Sequence, residues 1–292
     1  MPRRPTSRLP DSVMVVGGAG FIGSHLVDRF VAEGSNVHVV DSMVSGSLAN
    51  LATARRSGHD GRLTIQQLDA ATPEFAEYVT HRRPDVVYLV AGLESRSRQP
   101  MEAVLAYGTF VNVLEAVRSG SPTSKVVFTV PGSILYGDQP ARSLPVKEDG
   151  ERRPVGVAGV VVSSMIATAD TYRLRRDSNV VGAILASRRS DVSFVIDGDG
   201  RQTRDLLHVD DCVDGLFRAA DRGGGLAVNL ATGNQTSVRD LWATAGGGEV
   251  VHGEPRGGSP ARVALSPSRA RLHLGWSPWT SLDDGLARCD EM

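Results

Sequence analysis

The chain reads as an α/β fold: a doubly wound parallel sheet with a small C-terminal lobe. Three features predict it. Short β-branched runs alternate with helical stretches through residue 185. The runs are continuously apolar, as strands covered on both faces must be. A glycine-rich turn joins the first run to the first helical stretch, the usual opening of a βαβ unit.

The elements follow in order. "VMVV" at 13–16 is the first strand, and a helix is expected over 22–33. Strands are expected at 37–40, 63–68, 86–90, 126–130 and 180–185, each rich in Val, Leu or Ile. Helical spacing fills the gaps at 73–82, 101–118 and 157–176. After residue 185 the pattern changes. "VSFVI" is strand-like, "DLLHVDDCVDGLFRAA" turns into a helix, "AVNLATG" is a short strand, and 237–245 is a helix capped by Ser237. The expected division is a disordered tail over 1–11, a Rossmann-type domain over 12–185, and a small substrate lobe over 186–292 interleaved with it.

Bulk composition narrows the function. The net charge of −1 gives no electrostatic case for nucleic acid or membrane partners. Cys212 and Cys289 have no metal-ligand spacing and imply no disulfide framework, which suits a reducing cytoplasm. No metal site is expected. The basic residues are nearly all Arg, and the only lysines are Lys125 and Lys147.

The motif "VMVVGGAGFIGSHL" carries Gly17, Gly18, Gly20 and Gly23 between strand and helix. One glycine makes the tight turn, one lets a pyrophosphate approach the backbone, and Gly23 lets the helix close on the strand. The helix N-terminus, with Phe21 and Ile22 in its first turn, offers N–H groups to phosphate. Asp41 ends the second strand, where a carboxylate accepts hydrogen bonds from an adenosine ribose and repels a 2′-phosphate. The expected cofactor is NAD rather than NADP.

With "GGAGFIGSHL" and "GDGRQTRDLLHVDD" both in view, the chain resembles the extended short-chain dehydrogenase/reductase family, and within it the nucleotide-sugar epimerases and dehydratases. The likeness also covers "DSMVSGSLANL", "QQLDA", "VVYLVAG", "VKED" and "RARLHLGWSPWTSLDDGL". It implies that Asp69 contacts adenine and that Ala91 and Gly92 run beside the cofactor. Arg204, and Arg256 in "EPRGGSP", match positions where the family holds a nucleotide diphosphate; a guanidinium forks onto phosphate oxygens. The ligand so implied is a nucleotide-sugar or a similar polar metabolite. A homodimer through the helices near 101–118 and 157–176 is implied as well.

The resemblance breaks at the catalytic set. The family moves protons with a Tyr and a Lys four residues apart on one helix face. Registered on the helix expected over 157–176, those positions fall on Val157 or Ala158 and on Val161 or Val162. Tyr172 and Arg176 have the spacing but come some three turns late. "FTVPGSILYG" leaves Ser133 nearest the family's Ser/Thr, followed by Tyr136. Glu94, in a shortened loop after Gly92, follows the fourth strand. The chain is also expected to be shortened between 185 and 197. Ser133, Tyr136 and Glu94 are thus the candidate catalytic residues. Three readings stand: an NAD-dependent enzyme with relocated acid–base groups, a catalytically silent NAD-binding homologue or partner subunit, and a non-redox enzyme on the same fold. "RDLLHVDD" is read as a structural turn entering a helix.

Overall fold

The structure, a computed structural model, describes residues 9–57, 61–91, 100–150, 164–168, 170–172, 180–190, 193–254 and 260–290. The first half alternates β1 (Ser12–Val16), α1 (Phe21–Ala32), β2 (Asn36–Asp41), α2 (Ala52–Ser57), β3 (Leu63–Gln67), α3 (Pro73–Arg82), β4 (Val86–Leu89), α4 (Pro100–Gly120) and β5 (Lys125–Pro131). Then come α5 (Gly132–Tyr136), β6 (Ser164–Thr168), β7 (Asp170–Tyr172), α6 (Val180–Ser190), β8 (Val195–Asp197), β9 (Thr203–Arg204), β10 (Leu206–His208) and α7 (Val209–Ala219). The chain finishes with β11 (Ala227–Leu230), β12 (Thr236–Ser237), α8 (Val238–Thr244), β13 (Val251–Gly253), α9 (Ser268–His273) and α10 (Leu282–Asp290).

Seven strands form one sheet in the order β11-β6-β5-β4-β1-β2-β3, and every neighbouring pair is parallel. The order reverses direction at β1, so β2 and β4 flank the strand that feeds the glycine turn. That reversal opens a crevice at the C-terminal ends of the strands, where open α/β sheets bind ligands. Val13, Met14 and Val15 are completely buried, as a central strand covered on both faces demands. Tyr88 on β4 packs against Phe30 of α1, and its hydroxyl donates to Leu216 O at 2.8 Å, tying the sheet to α7.

Two apolar clusters result. The larger follows the sheet and includes α7, β11 and Trp276. The smaller gathers Val181, Ile184 and Leu185 of α6 with Ile196, Leu206, Leu241, Trp242, Leu286 and Cys289.

Two elements differ from expectation, and the differences are linked. The run "VVGAIL" is helix, not strand: its buried residues, Val181, Ile184 and Leu185, recur at i, i+3 and i+4. A short apolar run fits either period, and packing decided. The sixth strand is instead β6, which lies with β7 inside the helix expected over 157–176. At the N-terminus, Asp11 and Pro10 are not tail. Asn36 N donates to Asp11 O at 2.9 Å and Ser35 Oγ to Pro10 O at 2.8 Å.

Candidate functional site

The glycine turn is built by exclusion. Gly17 sits at φ +82°, and a Cβ there would stand 2.7 Å from the Ala91 Cβ. The end of β4 thus closes directly against the turn. A Cβ on Gly23 would stand 2.1 Å from Gly17 O, so only glycine lets α1 start this close to the strand. At Gly20 a Cβ would meet only Gly17 O, at 3.2 Å; the rest of that side is open to an approaching group. Gly20 is also the N-cap of α1, and no side chain caps it. No acidic residue lies in the first turn around Phe21 and Ile22. The helix therefore presents its N–H groups and positive dipole end to whatever enters, an arrangement suited to phosphate.

Asp41 organises the neighbouring wall. It is 8% exposed; Oδ2 accepts from Ala19 N at 2.9 Å, and Oδ1 from Met43 N at 2.8 Å. Each carboxylate oxygen carries two lone pairs, so these bonds leave acceptor capacity toward a ribose. Ala19 O in turn accepts from Ser47 N at 3.0 Å and Asn50 Nδ2 at 2.8 Å. Asn50 was not singled out in the sequence; its only signal was an amide side chain in the loop after β2. Asp69 is exposed and holds its own turn through Oδ1 and Ala71 N, 2.9 Å. Asn112 of α4 steadies that turn by donating to Ala70 O and Thr72 O.

The catalytic candidates separate. Ser133, in the single turn of α5, has a buried Oγ with no hydrogen-bond partner among the described residues. Tyr136 is 2% exposed, and its hydroxyl donates to Asn229 Oδ1 at 2.8 Å. That bond ties the phenol to β11 of the sheet. Gly92, Glu94, Arg256 and positions 157–162 lie outside the described residues. Arg204 is half-buried and donates through Nη1 to Thr203 O at 2.7 Å and Pro260 O at 2.9 Å. It thereby staples β9 to the segment that follows Arg256.

The "RDLLHVDD" stretch holds the scaffold together. Asp205 is wholly buried. Its Oδ1 accepts from Thr232 N and Oγ1, and its Oδ2 from Gly233 N and Leu265 N, all within 3.0 Å. Burial nonetheless pushes its pKa up. Asp211 accepts from Trp279 N, Thr280 N and Thr280 Oγ1. His208 caps α7, its Nδ1 accepting from Asp210 N. No group of three or more potential metal ligands occurs among the described residues. No described helix is long and apolar enough to cross a membrane.

Comparison with known proteins agrees with this geometry. The sequence profile of the NAD dependent epimerase/dehydratase family matches residues 13–158 and 158–231. The chain belongs to that family. The two matched stretches meet at residue 158, between β5 and β6. A UDP-glucose 4-epimerase of Mycolicibacterium smegmatis is 34% identical over 313 residues, covering 95% of this chain and 97% of that one. The UDP-glucose 4-epimerase of Thermotoga maritima, solved with UDP-glucose, superposes with a TM-score of 0.85 at 25% identity. It covers 96% of this chain and 97% of its own. The fold is likewise that of the Thermus thermophilus UDP-glucose 4-epimerase solved with NAD, TM-score 0.82, 23% identity, over 96% and 97% of the two chains.

The family's cofactor suits the residues present. The glycine cradle would be filled by a single Cβ at Gly17 or Gly23, the α1 N-terminus has no side-chain cap, and Asp41 ends β2 beside the turn, bonded to Ala19 N. Gly17, Gly20, Phe21, Ile22 and Gly23 would hold the pyrophosphate of NAD, with Asp41 on the adenosine ribose.

Proposed function

We propose that the protein is an NAD-dependent enzyme of a nucleotide-linked sugar, in which Ser133 rather than a Tyr–Lys pair meets the reacting sugar hydroxyl. The observation that carries this reading is the orphaned Ser133 Oγ. A buried hydroxyl without a partner costs about 1–3 kcal/mol, and a ligand oxygen at that place would remove the cost. Ser133 follows β5 at the C-terminal edge of the sheet, the edge that carries the glycine cradle.

NAD, when bound, accepts and returns a hydride. The chain's own part is to bind the dinucleotide along Gly17–Gly23, to orient the sugar oxygen through Ser133, and to hold the diphosphate through Arg204 and Arg256. No tyrosine in the chain is followed four residues later by a lysine. A serine hydroxyl relays a proton but is a poor base at neutral pH, and loss of a tuned base costs about 10²–10⁴ in rate. Slow turnover is therefore expected. Glu94 is the remaining carboxylate candidate. Both cysteines are buried and neither is in a disulfide, in keeping with a cytoplasmic enzyme. Of the two helices expected to form a homodimer, α4 keeps that role in this reading, with Tyr107 and Val111 exposed one turn apart; the other region forms strands where it is described.

A second reading, a catalytically silent NAD-binding homologue, is favoured by the engagement of Tyr136 with Asn229. One experiment separates them. The purified protein is denatured and assayed for released NAD(H). Isotope exchange at the sugar carbons is then followed across a panel of nucleotide sugars, with Ser133→Ala and Glu94→Gln beside wild type. Exchange that Ser133→Ala strongly slows supports the enzyme. Bound NAD without exchange supports the silent homologue, and absence of NAD binding rules out both.

A further inference from the structure

We infer that Tyr136 is a positioning residue: its bond to Asn229 anchors α5 and thereby sets where the Ser133 hydroxyl stands. The inference rests on the proposed role of Ser133.

The turn that carries Ser133 cannot hold itself. α5 is only five residues long, and at its C-terminal end Gly137 N donates to Ser133 O at 3.2 Å. An isolated single turn is unstable in water, so its orientation must be imposed from outside. Both ends are held. At the start, a Cβ on Gly132 would stand 2.4 Å from Leu265 Cδ1, so the turn is pressed onto the segment around Leu265. At the end, the buried Tyr136 hydroxyl donates to Asn229 Oδ1, and Gln139 Nε2 donates to Tyr136 O at 2.6 Å.

Asn229 is itself immovable. Its Nδ2 donates to Val146 O at 3.0 Å and Ser266 O at 3.4 Å, which fixes the amide so that Oδ1 is the acceptor offered to Tyr136. Its backbone N donates to Glu148 Oε1 at 2.9 Å. Glu148 lies 3.8 Å from Arg269 Nε through its other oxygen, and Arg269 Nη1 donates to Ala227 O at 3.1 Å. The anchor is thus a strand of the main sheet locked by a buried polar network, and fully satisfied buried networks specify one geometry. Ser133 lies three residues before Tyr136, within the same turn.

The test has two arms. Tyr136→Phe keeps the ring and its packing and deletes only the donor. The first arm reads amide hydrogen exchange. Gly137 N–H exchange should rise about tenfold, while the amides of Val127 and Phe128 in β5 stay protected. The second arm is a cycle with Ser133→Ala, following reduction of bound NAD at saturating UDP-glucose. Tyr136→Phe should slow reduction about tenfold in the Ser133 protein, and add nothing in the Ser133→Ala protein. A purely structural tyrosine would lower Tm and leave the saturated rate equal within each background. Unchanged Gly137 exchange, or an equal loss of rate in both backgrounds, would overturn the inference. If wild type reduces no NAD with UDP-glucose or any other sugar of the panel, the proposed function fails instead. The exchange arm then decides alone whether Tyr136 anchors α5.

Discussion

Replacing Asp41 with Asn changes one atom and tests the reading of the cofactor wall. The carboxylate takes one backbone N–H on each oxygen, Ala19 N on Oδ2 and Met43 N on Oδ1. An amide offers one oxygen and one NH2. Whichever way it is flipped, one of the two N–H groups faces a donor. A buried donor left unsatisfied costs about 1–3 kcal/mol, and that is the expected loss of stability without cofactor. Binding suffers separately, because a charged acceptor toward the ribose becomes a neutral one. Hydrogen bonds to charged groups contribute about 1.5–3 kcal/mol, so NAD affinity should fall roughly ten- to hundredfold. Loss of the negative charge also removes repulsion toward a 2′-phosphate, so the NADP:NAD affinity ratio should rise at the same time. Calorimetric titration with each dinucleotide, alongside urea unfolding of the cofactor-free protein, measures all three quantities. An Asp41→Asn protein that binds NAD within about threefold of wild type, with the NADP ratio unmoved, would refute the placement of the ribose at Asp41.

Further outcomes follow from the same geometry. Gly23→Ala forces a methyl to 2.1 Å from a backbone oxygen, so it should cost at least about 1–3 kcal/mol and abolish NAD retention, read by melting and by cofactor release. Asp205→Asn sets an NH2 against two of the four donors that converge on this buried carboxylate, at a cost of about 2–5 kcal/mol in urea unfolding. Burial raises the Asp205 pKa above its ordinary 3.8, so the native state keeps the proton to higher pH than the unfolded chain does. The stability this contributes is complete at acid pH and is lost as pH rises through the raised value; Asp205→Asn should remove that slope from a pH series. His38 works in the opposite direction. Burial first, then the Arg82 charge, hold its pKa below 6.5, so its contribution is intact above 6.5 and is lost as pH falls through the lowered value. His38→Leu should flatten stability across that acid window.

The cofactor half of the molecule was legible because its physics is local. A glycine turn needs particular residues at fixed offsets, and Gly17, Gly23 and Asp41 stand where the spacing put them. β1, β2, β4 and β5 carry Val-rich runs that only a two-sided sheet accommodates. The helix at 73–82 announced itself by Pro73 at its first position and by period. Legibility ended where an apolar run suits two periods. "VVGAIL" is β-branched enough for a strand, yet its face 181, 184, 185 fits the smaller core as a helix. "SSMIAT" is small and polar enough to pass for helix, but becomes β6 because β5 and β11 need a strand between them. Tyr136 was unreadable for another reason: its partner Asn229 is far away in sequence, and no local pattern reports such a bond.

The cradle and the chemistry occupy separable parts of the chain. Among the described residues, the contacts that shape the dinucleotide wall come from β1, α1, β2, the segment at 46–50 and the end of β4. Among the described residues none comes from the crossover between β5 and β6. Changes in that crossover should therefore leave the hold on NAD intact. The turn that follows β5 is anchored to β11 through Tyr136 and Asn229. Lesions in the two parts should consequently differ in kind. Gly23→Ala should lose the cofactor and with it every downstream step. Tyr136→Phe should retain NAD at wild-type affinity and change only how Ser133 is presented. A Tyr136→Phe protein that lost NAD as fully as Gly23→Ala would show that the crossover supports the cradle after all, and the separation argued from these contacts would be wrong.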